Sequence, residues 1–218
     1  MTRLLRRKIR RILVDVDTQY DLVYGDELDR SEFLRQVRRL MAWARVRSVP
    51  VISTALAHRT GSYHGNGACL EGTDGQKKIH YTILPDHQLF EAENRFDLPR
   101  NILKLHQQVI FEKRTEDPFE LPRADRLFTE LRPDEYLVFG MGAERAVKAT
   151  VLGLLCRQKK VYVVQDAVEC FNDRDGALAL RQMEAKGARL IYARALTGKS
   201  RLQGGVRQRL RSQLLLKK

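Results

Sequence analysis

The chain has 218 residues, 43% of them apolar, which suits one domain with a core large enough to fold alone and excludes a disordered chain. No apolar run approaches the ~20 residues needed to cross a bilayer, and the basic N-terminus lacks a signal peptide's apolar stretch and cleavage site, so a cytoplasmic location is expected. The formal net charge is +13, and Cys69, Cys156 and Cys170 are an odd number without CxxC spacing, which does not suggest a disulfide framework or a zinc site and reads as reduced, mostly buried thiols.

The predicted elements alternate along the chain. IRRILVDVD is a short apolar run ending in acids and reads as a buried strand. Ser31 is the expected N-cap of a helix with Phe33, Leu34, Val37, Leu40, Met41 and Ala44 at helical spacing. VPVISTAL is the next strand, followed by a Gly- and His-rich stretch, HRTGSYHGNGACLEGTDG, without periodicity. QQVIFE forms a strand, Asp125–Leu131 a short helix, DEYLVFG a strand, ERAVKATVLGLLCRQ a helix and KVYVVQDAV a strand. DGALALRQMEAKG reads as a helix closed by Gly187, and ARLIYARAL as the last strand. This order predicts a three-layer, Rossmann-like α/β fold: a mostly parallel sheet with helices on both faces. One domain spans residues 1–198, and 199–218 form a basic tail. Ligands gather beyond the carboxyl ends of parallel strands, here Asp15–Asp21, Thr54–His64, Glu112–Phe119 and Gly140–Ala146.

The positive charge lies at the ends. Residues 1–14 hold six basic residues and 194–218 hold eight, with no acid in 194–218; the rest carries 26 basic against 27 acidic side chains. Such ends bind polyanions, nucleic acid included, or serve as solvated tails. Val206, Leu210 and Leu214 give 203–216 a weak helical pattern.

Four motifs in order carry a family resemblance: Asp17-Thr-Gln19-Tyr-Asp21-Leu22; Lys113 at a strand end with Phe119 six residues on; Gly140-Met-Gly142-Ala143-Glu-Arg-Ala146-Val147-Lys-Ala-Thr150; and Asp166-Ala167. Over about residues 10–196 the chain resembles the isochorismatase-like superfamily, which includes cysteine hydrolases and nicotinamidase-related proteins. The resemblance implies an isochorismatase-like hydrolase fold and an Asp–Lys–Cys triad. There a thiolate at a helix N-terminus is stabilised by the dipole and free amides, an Asp takes the thiol proton, a Lys balances the charge, and turn amides hold the oxyanion. The triad positions fall on Asp17, Lys113 and Ala146, and alanine has no nucleophilic atom. Gln19, Phe119, Gly142 and Ala143 become expected substrate contacts, and the family's cis peptide would fall near Met141–Gly142. Cys156 lies about 15 Å further along the helix, Cys170 has no matching base, and Cys69 matches a second, non-nucleophilic cysteine of nicotinamidase-like members. Asp17 and Lys113 also read as a buried ion pair kept for its charge balance.

The nicotinamidase metal pattern falls on Leu56, His58, His64 and Ala68, so His58 and His64 are the weak metal candidates and two of four ligands are gone. No metal and no cofactor follow; Gly140-Met-Gly142 lacks the third glycine of a dinucleotide fingerprint. His80, His87 and His106 read as surface or structural. Three functions stay open: a pseudoenzyme binding a small molecule or protein partner, an active cysteine-independent isochorismatase-type hydrolase, and a nucleic-acid-associated module using the basic ends. Family members often form a homo-oligomer, a dimer or tetramer.

Overall fold

The computed structural model describes residues 9–61 and 67–198. Seven strands form one sheet: β1 (Arg11–Val16), β2 (Val51–Leu56), β3 (His87–Phe90), β4 (Gln108–Lys113), β5 (Glu135–Met141), β6 (Val161–Glu169) and β7 (Arg189–Ile191). Their order is β3-β4-β2-β1-β5-β6-β7, and every pairing is parallel. The helices are α1 (Tyr20–Tyr24), α2 (Ser31–Arg47), α3 (Ile102–Leu105), α4 (Pro122–Glu130), α5 (Lys148–Cys156), α6 (Asp173–Ala185) and α7 (Ala193–Thr197).

Strand pleat divides the buried side chains into two cores. Ile12, Val14 and Val16 of β1 join Tyr136 and Val138 of β5 on one face, under Phe128 of α4, Val151 and Leu154 of α5 and Met183 of α6. Leu13, Leu137 and Phe139 point the other way, against Val37, Leu40, Met41 and Ala44 of α2 and Ala193 of α7. That alternation makes the three layers. Each fully buried large apolar side chain contributes about 1.5–3 kcal/mol relative to exposure, so both faces need their helices. Among the described residues no helix is long and apolar enough to cross a membrane.

Several local expectations are corrected. Ser31 is the first helical residue of α2, not its cap; the Asp29 carboxylate accepts its N–H at 2.9 Å. α4 begins at Pro122, whose missing N–H costs nothing in a first turn. ARLIYARAL does not continue as a strand. It stops at Ile191, and Asp166 accepts the Ala193 N–H at 2.7 Å, starting α7. β3, absent from the predicted elements, forms one edge of the sheet. Only Cys69 is buried; Cys170 is half-buried and Cys156 exposed. The Met141–Gly142 bond is trans. The tail 199–218 lies outside the described residues.

Candidate active site

The chain leaves β1 to one side of the sheet for β2 and later crosses to the other for β5 and β6. The carboxyl ends of β1 and β5 therefore form the switch point where open parallel sheets bind ligands. Val16 pairs with Gly140 there. Gly140 has φ 136°, and a Cβ on it would lie 2.0 Å from the Val16 carbonyl oxygen, so only glycine lets the two strand ends meet this closely.

Asp17, one residue beyond β1, has φ 50° and is 1% exposed. Its Oδ2 accepts Lys113 Nζ at 2.7 Å and its Oδ1 accepts the Thr54 hydroxyl at 2.6 Å. Lys113 also donates to the carbonyls of Thr115 (3.0 Å) and Glu116 (3.1 Å). Three acceptors match the three ammonium protons. The ammonium thereby ties down the loop after β4, whose Arg114, Thr115 and Glu116 wall the cleft.

After β5 the chain turns through Gly142, in the left-handed region at φ 78°, ψ 62°. A wide first turn, Ala143–Val147, then leads into α5, and Val147 N–H reaches the Gly142 carbonyl at 3.0 Å. Within it Arg145 is not helical, with φ −123° and ψ −106°. Wide turns of this kind cluster at functional sites. Ala146 follows Arg145 and is 4% exposed. The Arg145 guanidinium lies 5.2 Å from the centre of the Phe171 ring and 3.5 Å from Glu116.

These elements surround a cleft of about 1000 Å³, whose walls include Asp17, Leu56, His58, Gly142, Ala146 and Phe171. Not every expected contact reaches it. The Gln19 side chain is spent on backbone: it donates to the carbonyls of Leu56 (2.7 Å) and Gln76 (2.6 Å) and accepts the Leu56 N–H (2.7 Å). It locks β2 to the following loop instead of facing the cleft. Phe119 turns to the far side of α5, against Gly153, with Phe128 at 5.4 Å between ring centres and Arg157 stacked at 3.8 Å. Ala143 is buried in the turn, beside Gly176. Lys113 stands behind Asp17, away from the lining.

The cleft offers no thiol ready to ionise among the described residues. Burial, reinforced by Asp17 and Asp21, pushes Cys69 up to about 12. Burial and the nearby carboxylates of Glu169, Glu144 and Asp173 push Cys170 up to about 11. Cys156 ends α5, exposed. Leu56, His58 and Ala68 do meet on the cleft wall, which brings the metal-pattern positions together without two of their ligands. His64 lies outside the described residues. No three His, Cys, Asp or Glu side chains gather into a metal-holding group among the described residues.

Sequence reasoning missed Lys78. It comes from the loop after β2, and its ammonium reaches Asp15 Oδ2 at 3.0 Å, the Thr54 carbonyl at 3.1 Å and the Thr18 hydroxyl at 3.0 Å. No local pattern marks a loop lysine as buried.

The isochorismatase domain model matches residues 11–195. The chain belongs to the isochorismatase family. No curated protein matches it. Among solved structures, this isochorismatase-family chain is similar to the MAR1 ribonuclease of Caenorhabditis elegans, at 21% identity over 87% of this chain and 80% of that one, with TM-score 0.61. It is similar to a pyrazinamidase of Pyrococcus horikoshii in complex with zinc, at 20% identity over 84% and 99%, TM-score 0.65. An isochorismatase family protein from Desulfovibrio vulgaris matches at 20% identity over 87% and 97%, TM-score 0.64. At these identities the likeness is one of fold.

Proposed function

We propose that this protein is an isochorismatase-family member that has given up cysteine hydrolysis, with Ala146 at the nucleophile position, and that binds a small molecule in the cleft at the ends of β1 and β5. One observation carries this reading. A cleft of about 1000 Å³ stays open beside an ordered Asp17–Lys113 pair, while its wall at Ala146 has no nucleophile. A purely structural relic would be under no pressure to keep such a space, because filling it with apolar side chains would gain stability. The fold does not choose the chemistry, since the similar structures include a ribonuclease and a pyrazinamidase. All three cysteines are free, in keeping with the cytoplasmic setting we infer.

Calorimetric titration with a panel of small aromatic amides and carboxylates, isochorismate included, tests the reading, alongside a hydrolysis assay on the same panel. Saturable binding without turnover, abolished by Ala146→Trp, is the expected result. Turnover that iodoacetamide abolishes would overturn it.

A second reading is favoured by the pair itself. The 2.7 Å contact of Lys113 with Asp17 is in place without a thiol. Cysteine-independent vinyl-ether cleavage asks for an acid–base group that reaches the cleft, and Asp17 of the pair lines it. Isochorismate turnover that resists iodoacetamide and is lost on Asp17→Ala would select it over the binding role.

A further inference from the structure

The end of the sheet opposite the candidate active site carries a second concavity, of about 1260 Å³. It lies where β1, β2 and β5 begin. Four cations line it: Arg10 and Arg11 at the start of β1, Arg47 at the end of α2, and Lys104 in α3. All four are exposed. Two acids, Asp134 and Glu135, share the groove. Glu135 is already occupied, with Arg11 at 2.9 Å and Lys160 at 3.2 Å. Arg47 and Lys104 have no ion pair with any described residue, so their charge is directed to solvent. Half-buried Trp43 adds an aromatic side chain to the groove's lining.

Both ends of the described chain meet at this groove. Ile9 and Leu196 line it, and Arg39 of α2 donates to the carbonyl of Gly198. Residues 1–8 and 199–218 therefore join the fold at the groove's rim. Those two segments contain eleven basic residues and no acidic one, seven of them arginine. The sequence treats the two basic ends as separate features; the fold brings their attachment points together and adds Arg10, Arg47 and Lys104 between them. Guanidinium groups pair with phosphate through a planar, bidentate fork and stack on aromatic rings. A bilayer presents its phosphates on a flat surface, and the groove's concavity suits a strand better.

We propose that this face binds single-stranded nucleic acid, with Arg10, Arg47 and Lys104 holding successive phosphates and Trp43 offering a surface for a base. The face is independent of the cleft at the other end of the sheet, so the protein has a ligand site and a nucleic-acid face on opposite poles.

Fluorescence anisotropy with a labelled, mixed-sequence RNA of about 20 nucleotides tests it in the full-length protein across a salt series. Each phosphate contact on a single strand contributes about −0.7 to the slope of log K against log[salt]. Removing three contacts in Arg10→Ala/Arg47→Ala/Lys104→Ala is expected to flatten that slope by about 2 and to weaken binding at least tenfold at low salt. The variant Arg174→Ala/Arg181→Ala, which removes two exposed charges from α6, is expected to keep the wild-type slope. Circular dichroism melts of both variants separate lost contacts from lost fold. Truncation of 199–218 is expected to weaken binding but to leave the groove's share of the slope. The proposal is overturned if wild-type protein does not bind at 50 mM salt. It is equally overturned if the groove variant, shown folded, keeps the full slope, or if vesicles rich in phosphatidylserine compete RNA off at matched charge.

Discussion

Lys78 Nζ lies 3.0 Å from Asp15 Oδ2, with the two side chains 3% and 0% exposed. Lys113 and Asp17 make a second buried pair, and Thr54 belongs to both: its hydroxyl donates to Asp17 and its carbonyl accepts from Lys78. Asp17 on the cleft wall is thus backed by one connected network of four charges. Removing one partner of a buried pair leaves an uncompensated charge and costs about 3–5 kcal/mol. Lys78→Met is expected to cost that much in urea denaturation with an unchanged m-value. Lys77→Met breaks only an exposed contact with Asp74 and is expected to cost less than about 1 kcal/mol. Equal effects of the two substitutions would show that the Lys78 network carries no such charge dependence.

Gly153 sits inside α5, where alanine would ordinarily add about 1 kcal/mol of stability. Here a Cβ would fall 2.0 Å from Phe119 Cε2 and 2.3 Å from Cδ2. Phe119 has little room to retreat, held between the Phe128 ring and the Arg157 guanidinium. Overpacking of this kind costs about 1–3 kcal/mol, so Gly153→Ala is expected to destabilise despite its helix propensity. Phe119→Leu in the same chain makes room, and a double-mutant cycle should show a favourable coupling. A stabilised Gly153→Ala single variant would sink this account of Phe119.

These two sites mark the limits of reading the sequence alone. The strands β1, β2, β4, β5 and β6 were legible because buried parallel strands are short apolar runs, and α2 because its apolar residues recur at helical spacing. β3 is four residues, HQLF, with two of them exposed, and nothing local distinguishes it from a loop. The end of β7 depends on the Asp166 carboxylate reaching Ala193 from 27 residues away. The pairing of Asp17 with Lys113 was legible through the family motifs, but the roles of Gln19 and Phe119 were not. A buried amide and an aromatic ring satisfy backbone or fill a helix gap as readily as they touch a ligand, and only coordinates say which.

His58, on the cleft wall, has its pKa lowered from 6.5, chiefly by burial and then by the Lys113 charge, with Arg114 adding to and Asp17 opposing the shift. The folded protein therefore favours the neutral imidazole. Below pH 6.5 the unfolded chain takes up a proton that the folded chain does not, so stability falls as pH drops through the folded pKa. NMR titration is expected to place the His58 ring below 6.5, and His58→Asn should flatten the loss of stability between pH 6.5 and the folded pKa. A His58 ring that titrates at or above 6.5 would contradict this.

Ala146 offers the sharpest test of whether the old site is still organised. It follows Arg145 in the turn that leads into α5, where free amides and the helix dipole stabilise a negative charge. Cysteines in such positions have pKa values of about 3.5–7.5, against about 8.5 for a free thiol. In Ala146→Cys the introduced thiol is expected to be alkylated by iodoacetamide at pH 7 at least about tenfold faster than Cys69 or Cys170, whose thiols are held near 12 and 11. Peptide mapping by mass spectrometry assigns each rate. Adding Asp17→Asn should slow the reaction at position 146 if the carboxylate still faces it as a base, and leave Cys156 unchanged. An introduced thiol no faster than Cys170 would mean that the turn at Gly142–Ala146 no longer stabilises an anion, leaving the Asp17–Lys113 pair with a structural role alone.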